Sequence, residues 1–573
     1  MCGIVGIWGE ANRDVIADML QAVRHRGPDT FEVLVTDRHS FGAAVLRLVS
    51  VERDSQPHAP GDLILLFNGE IYNYQELRSK HAPELPPEAS EIEVVTALYR
   101  KMGEDLIPLL KGMFALAIAD GEKLILARDR FGIKPLFYCR AGHSFLFASE
   151  MKALLRHPLV SSRLNLRALD ETVVFGFMCS PGITPLEGIE QVCPGTIVTI
   201  DKGVVEARSY ATIEPAHFAG EGDISLAEAA DEIRVLLSRA VSQLVKHGQD
   251  RKGFLLSGGM DSSALTGLAL QETGLAPLTF TLCESEDSWD LPSARQAAKA
   301  YGSELVEFRV TLEDYLNEIP HYVYHFENLI CGGIFDVHGG IAFHMLCRRV
   351  ASYVRVAFSG EGADELFGGY YWSYLYPLGL SDRIRNRLRA SAAKNARPLV
   401  ESVFPQPEDE STYTLNLYDL LMSSGLSNYH LCSADRSSSA FGFELRPAYL
   451  YDDLASFALS LPVEYKTEDP QTKRVLREAV RPLLTKYGLS EVLSRRKFGM
   501  PAATDEIGKA AERLASEIVA SGRIKLEPPL PLLASPLEML MLDLYRWVFI
   551  DNGGRLPADF NLREFYKVRR VKE

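Results

Sequence analysis

Two stretches of the chain bring together residue types that could make and break bonds. The first begins at Cys2. A small residue after an initiator Met permits removal of that Met, which would leave a thiol and a free α-amine on one residue. The amine, with a pKa of about 8, can take the thiol proton directly or through a water, so the pair is a nucleophile with its own base. A cysteine in second place also has an incidental reading, and its surroundings decide between the two. Phe67-Asn68-Gly69-Glu70-Ile71-Tyr72-Asn73-Tyr74 follows an apolar run. This predicts a turn that presents the Asn68 amide and the Gly69 backbone N–H as donors to a developing oxyanion. Arg24-His25-Arg26-Gly27-Pro28-Asp29 is a second turn-rich segment able to pack beside it.

The second stretch is Ser257-Gly258-Gly259-Met260-Asp261-Ser262-Ser263, which leaves an apolar strand at 253–256 and enters a helix. Glycines let backbone N–H groups turn inward as an anion nest, hydroxyls add donors, and the helix N-terminus adds its positive end. The pattern suits pyrophosphate, yet it has neither the Walker spacing nor the GxGxxG of dinucleotide folds. Ser359-Gly360-Glu361-Gly362-Ala363-Asp364-Glu365 repeats the logic after a strand at 354–358. Carboxylates beside a phosphate loop need a cation, and Asp261 and Asp364 are the candidate Mg²⁺ ligands. Helix capping accounts for one of these acids but not for Glu361 and Asp364 together.

The elements that must position these groups differ between the two halves. Up to residue 210 short apolar runs at 4–8, 63–67, 114–118, 123–127, 136–139 and 144–148 are separated by turn signals, with helical patterns at 14–24 and 91–102. They predict a mostly antiparallel, layered α+β domain over 1–210. A loose stretch at 211–224 reads as a linker. Over 225–573, helices at 227–246, 262–272 and 292–301 alternate with strands at 253–256 and 278–282, which predicts right-handed crossovers and a parallel sheet with a helix-rich end.

Composition narrows the function further. The chain has 573 residues, too many for one small domain, and a formal charge of −15, which repels phosphate backbones and disfavours nucleic acid as a partner. No apolar run approaches the roughly 20 residues of a membrane span. The eight cysteines form no C-x-x-C pair, so a reduced, cytoplasmic setting is the expectation. The basic run 567–572 reads as a solvated tail.

Taken in order, Cys2-Gly3-Ile4-Val5-Gly6, Arg26-Gly27-Pro28-Asp29, Asn68-Gly69-Glu70-Ile71-Tyr72-Asn73 and Arg128-Asp129-Arg130-Phe131-Gly132-Ile133-Lys134-Pro135-Leu136 resemble the glutaminase domain of the class II, N-terminal-nucleophile amidotransferases. The resemblance implies an Ntn-hydrolase-type sandwich in which the Cys2 thiolate attacks the glutamine amide, Asn68 and Gly69 form the oxyanion hole, and Glu70 helps hold glutamine. The family's Ser-Asp, whose Asp grips the α-amine, stands here as Ser90-Glu91. Its Arg-Leu, whose Arg grips the α-carboxylate, aligns without gaps to Val45-Leu46, and a two-residue shift brings Arg47-Leu48 into place.

The second half resembles the adenylating, PP-loop ATP pyrophosphatase-type domain of glutamine-hydrolysing asparagine synthetases. Asp435-Arg436, Phe443-Glu444-Leu445-Arg446-Pro447, Lys473-Arg474-Val475-Leu476-Arg477-Glu478 and Arg495-Arg496-Lys497-Phe498-Gly499 extend the match. By that resemblance a carboxylate acceptor attacks ATP to give an acyl-adenylate, leaving pyrophosphate with Mg²⁺ on the 257–263 loop, of which Gly258, Gly259, Ser262 and Ser263 are part. Leu255, Ser257, Leu282 and Gly360 surround the nucleoside, with Ser359 beside them. Lys473 steadies the separating phosphates, Glu361 takes a proton from ammonia, and ammonia arrives through an interdomain tunnel. The resemblance also suggests a homodimer. Aspartate is the default acceptor. Where many members carry Asp-Glu-Pro, however, this chain has Glu327-Asn328-Leu329 followed by Ile330-Cys331-Gly332-Gly333-Ile334-Phe335-Asp336. Either the loop has drifted or the acceptor is a different carboxylic acid. Ring closure with a vestigial glutaminase half, or a nucleotide-binding regulator without turnover, are the remaining readings.

Overall fold

The first 210 residues build two antiparallel sheets that face each other, and their central strands are buried at nearly every position because both faces are covered. The computed structural model describes residues 2–49, 55–212, 224–248, 250–330, 334, 337–370, 375–391, 393–468, 470–495, 504–524 and 535–568. Most of the expected linker, the loop residues 331–333 and 335–336, residues 496–499 and most of the basic tail lie outside these. The first sheet holds β1 (Cys2–Trp8), β2 (Thr30–Val35), β3 (His39–Val45), β7 (Phe137–Ala141), β8 (Ser144–Ala148) and β9 (Ile189–Gln191), in the order β2-β3-β1-β8-β7-β9. The second holds β4 (Leu63–Ile71), β5 (Gly112–Asp120), β6 (Lys123–Arg128), β10 (Thr196–Asp201) and β11 (Val204–Ser209), in the order β11-β10-β6-β5-β4. Their inner faces share a core of Ile4, Phe41, Val45, Leu66, Ala115, Leu126 and Phe147. The helix Arg13–Ala22 covers the outside of the first sheet and Glu91–Met102 that of the second. Burying such apolar faces is the main favourable term in folding.

Two expectations change. Asn68 and Gly69 are not at a turn, because β4 runs on to Ile71 and pairs them with Ala115 and Phe114 of β5. Continuation demands glycine: Gly69 has φ +145°, and a Cβ there would lie 1.9 Å from the Met113 carbonyl oxygen. The strand expected at 354–358 starts later, at Val356, because Val354 still closes the preceding turn on Val350.

The third sheet is wholly parallel: β12 (Lys252–Leu255), β13 (Leu278–Cys283), β14 (Glu304–Arg309), β15 (Val356–Ser359) and β16 (Glu444–Pro447), in the order β14-β13-β12-β15-β16. The chain steps outward from β12 to β14 and then returns to lay β15 on the other side of β12. That reversal opens a crevice beyond the carboxyl ends of β12 and β15, where open α/β sheets bind ligands. Both Ser-Gly segments issue there. Helices dominate after β15, among them Pro377–Ala390, Glu410–Leu420, Cys432–Ser439, Arg474–Lys486, Asp505–Ala520 and Pro536–Tyr545. Among the described residues no helix is long and apolar enough to cross a membrane.

The two domains meet through buried charge. Arg26 bonds Glu150 at 2.8 Å in its own domain and Asp435 at 2.9 Å in the other, and Arg436 reaches back to Glu150 at 2.9 Å. Arg446 pairs with Glu444 at 2.8 Å and lies 3.7 Å from Glu70. Burial would raise the Glu150 carboxyl, but His25, Lys152 and Arg436 around it hold it well below the usual carboxylate range. Glu327 is fully buried, accepts from the Met151 and Lys152 backbone amides at 2.8 Å each, and pairs with Arg436 at 3.1 Å. The acid of the expected acceptor loop therefore clamps the domains together and does not enter the crevice. Glu327→Ala would strand Lys152, Arg436 and two amides in the interior, and is expected to cost about 3–5 kcal/mol of stability in denaturant unfolding. A loss below about 1 kcal/mol would contradict the clamp.

Candidate active sites

Cys2 sits at the start of β1, 5% exposed, paired across the sheet with Val45 of β3. Its N–H donates to Asn68 Oδ1 at 2.8 Å, and its carbonyl accepts from Arg26 Nε at 3.1 Å. The first bond orients the Asn68 amide, leaving Nδ2 buried with no acceptor among the described residues. A buried donor without a partner is costly, and a negatively charged oxygen would satisfy it. Gln56, which no sequence signal marked, places Nε2 4.0 Å from the Cys2 sulfur while its Oε1 accepts from Phe67 N at 2.7 Å.

Glu70 lies on the same face of β4 as Asn68. Glu91 opens a helix fixed by the Ser90–Glu93 capping box and accepts from Ile71 N at 3.4 Å. Both carboxylates meet His247, which ends the helix Leu226–Lys246 of the other domain: Nε2 is 2.6 Å from Glu70 and 3.2 Å from Glu91. Burial would lower this imidazole's pKa, but hydrogen bonds to Glu70 and Glu91 outweigh burial and raise it to about 9. Val45 is buried in the inter-sheet core, so it offers nothing to a carboxylate. Arg47, just past β3, is half-buried; its backbone N–H donates to Asp29 at 2.8 Å and its Nε has no acceptor among the described residues. Of the two alignments, the shifted one supplies a cation.

The crevice at β12 and β15 is a cavity of about 1090 Å³. Its walls include Leu255, Ser257, Gly259, Asp261, Ser262, Leu282, Ser359, Gly360, Glu361, Asp364 and Lys473. Gly258 and Ser263 do not line it. Gly258, at φ +71°, packs so close to the next helix that a Cβ would lie 2.2 Å from the Ser293 backbone, and Ser263 faces inward with its carbonyl accepting from Tyr301. Ser257 and Ser262 share a hydroxyl contact at 3.2 Å. Lys473 bridges Asp261 at 2.7 Å and Asp364 at 2.8 Å, from a left-handed backbone conformation with φ +54° that lysine adopts only under constraint. Gly369 makes room for the side chain, since a Cβ there would lie 2.3 Å from the lysine Cε. Two carboxylates thus converge on one ammonium beside the loop, and Asp261 Oδ1 is buried without a hydrogen bond among the described residues. These residues fit a divalent cation bound with phosphate.

Residues 1–211 match the family model described as "Glutamine amidotransferase domain", and residues 232–536 match "Asparagine synthase". The chain belongs to the asparagine synthase family. Members similar to it include "Asparagine synthetase [glutamine-hydrolyzing] 3" of Bacillus subtilis (strain 168), 29% identical over 552 residues and covering 87% of each chain. "Asparagine synthetase [glutamine-hydrolyzing] 1" of the same organism is 29% identical over 570 residues, again 87% of each. An Arabidopsis thaliana "Asparagine synthetase [glutamine-hydrolyzing] 3" is 27% identical over 522 residues, covering 87% of this chain and 78% of that one. As an asparagine synthase family member with both domains, the chain is an ATP-dependent, glutamine-hydrolysing amidotransferase and a carbon–nitrogen ligase.

Lys473→Met would leave Asp261 and Asp364 facing each other without their shared cation. Pyrophosphate release is expected to fall by about 100-fold or more. A fall of less than about threefold would show that the lysine serves only the fold.

Proposed function

We propose that Cys2 releases ammonia from glutamine in the first domain and that the crevice of the second adenylates a carboxylic acid, which the ammonia converts to an amide. The observation that carries the glutaminase half is the orphaned, buried Asn68 Nδ2, aligned by its own oxygen on Cys2 N. The Cys2 thiolate attacks the side-chain amide; Asn68 Nδ2 and the Gly69 N–H hold the oxyanion; Glu70 and Glu91 take the α-ammonium and Arg47 the α-carboxylate. Water then cleaves the thioester.

In the crevice, Ser257, Gly259 and Ser262 hold the pyrophosphate, and Leu255 and Leu282 flank the nucleoside. Asp261 and Asp364 would hold Mg²⁺, which supplies charge neutralisation of the phosphates when bound. Lys473 offsets charge as the acceptor carboxylate displaces pyrophosphate from the α-phosphorus. Glu361, across the same crevice, takes a proton from ammonia as nitrogen adds to the acyl carbon and AMP leaves.

The default acceptor is L-aspartate, in keeping with the names of the relatives. A second reading rests on one observation: the described lining of the crevice includes Ile334, Phe343, Leu346, Tyr370 and Tyr429, a largely apolar and aromatic set, with His430 3.9 Å from Glu361. That surface suits a carboxylic acid with a larger body. ATP–pyrophosphate exchange with L-aspartate and a panel of other carboxylic acids separates the two. Exchange with aspartate alone supports asparagine formation; exchange only with a larger acid supports the second reading. Cys2→Ala is expected to abolish glutamine hydrolysis while exchange persists, and hydrolysis that survives the substitution would contradict the assignment.

A further inference from the structure

We propose that His247 is an internal stand-in for the α-ammonium of glutamine: carried by the synthetase domain, it occupies the carboxylate pair Glu70 and Glu91 and must be displaced before glutamine binds. This rests on the reading of those two acids as the ammonium-binding groups of the glutaminase site.

The geometry shows the carboxylate pair occupied. A single nitrogen, Nε2, makes ion-pair contact with both acids, at 2.6 and 3.2 Å, so an ammonium seeking the same oxygens finds them engaged. Tyr72 packs edge-on against the imidazole with ring centroids 5.3 Å apart, and the His247 carbonyl accepts from Arg446 at 2.9 Å, which fixes the ring's position. The imidazole is cationic at neutral pH, since its pKa is raised to about 9: burial acts to lower it and the bonds to Glu70 and Glu91 prevail. The three groups also lie within 4.8 Å of one another, a spacing that could hold a metal ion, but the Arg446 guanidinium 3.7 Å from Glu70 favours a hydrogen-bonded organic cation over a metal.

The same segment closes the other side of the site. Gly248, at φ +80°, passes so near Leu48 that a Cβ would lie 2.8 Å from the Leu48 carbonyl oxygen, one residue after Arg47. Leu46, Leu48 and Val356 of β15 form a small cluster there. Arg355 pairs with Asp29, whose carboxylate also holds Arg47 N. The synthetase domain therefore touches the segments proposed for both ends of the amino acid, and its docking bears directly on glutamine affinity.

The test uses the full-length protein and two amides, L-glutamine and glutaramate, which has the same amide and a carboxylate but no α-amine. The quantity read is the ratio of kcat/KM for the two in wild type, His247→Gln, His247→Ala and Glu91→Ala, with Cys2→Ala as the control for hydrolysis at this site. Each ratio comes from one preparation, so a partly folded variant still gives an answer. If the imidazolium holds the acids about nine-tenths of the time, removing it should raise the preference for glutamine about tenfold in both His247 variants. A ratio unchanged within about twofold, or a lower one, overturns the proposal. Hydrolysis that persists in Cys2→Ala, or a ratio unmoved in Glu91→Ala, overturns the underlying reading and the proposal with it. Cys2-dependent, Glu91-sensitive hydrolysis with an unmoved ratio in the His247 variants overturns the proposal alone.

Discussion

Arg26 donates through Nε to the carbonyl of Cys2 and through its terminal nitrogens to Glu150 in its own domain and to Asp435 and Ser439 in the other. One fully buried guanidinium thus joins the backbone of the nucleophile, the glutaminase core and the synthetase helix Cys432–Ser439. A planar fork of five donors suits this task as an ammonium would not. Around it Lys134, Lys152, Arg436 and Arg446 are matched by Glu150, Glu327, Asp435 and Glu444, all buried. Such pairs contribute little net stability against well-packed apolar residues, yet breaking one is expensive. Their arrangement therefore specifies how the domains meet more than how stable each one is.

The synthetase crevice depends on a different constraint. The return of β15 to the flank of β12 sets two acid-bearing loops side by side, and the convergence of Asp261 and Asp364 on Lys473 suits the site to a cation and phosphate together. Gly258 and Gly369 are needed for close approach, one against the Ser293 backbone and the other against Asp364 and Lys473. Glycine here shapes the loop, while serine, aspartate and lysine face the crevice.

The sequence announces the architecture where local chemistry determines it. Strand–helix alternation after 225 yields the parallel sheet, and the apolar spacing over 91–102 yields the helix that carries Glu91. Phe67-Asn68-Gly69 misleads because an Asn-Gly pair reads as a turn, whereas β5 pairs straight across it. Glu327-Asn328-Leu329 sits where acceptor contacts are expected, but the chain turns at Glu327, φ +59°, and aims the acid at Met151 and Lys152 of the other domain. Asp435-Arg436 and Glu444-Leu445-Arg446 carry the family likeness with no chemistry attached, and the structure gives them the interdomain clamp. Gln56 and His247 have no local signature at all, because both acquire their partners from residues remote in the chain.

Coupling of the two reactions through this charged junction can be measured directly as the ratio of glutamate formed to pyrophosphate released, compared between the wild type and Asp435→Asn. That substitution weakens the grip of Arg26 on the synthetase domain and leaves its bond to the Cys2 carbonyl in place. If the junction couples the sites, the wild-type ratio lies near unity and the variant hydrolyses glutamine well in excess of pyrophosphate release. A variant that keeps both activities and the wild-type ratio would contradict the role given to Arg26.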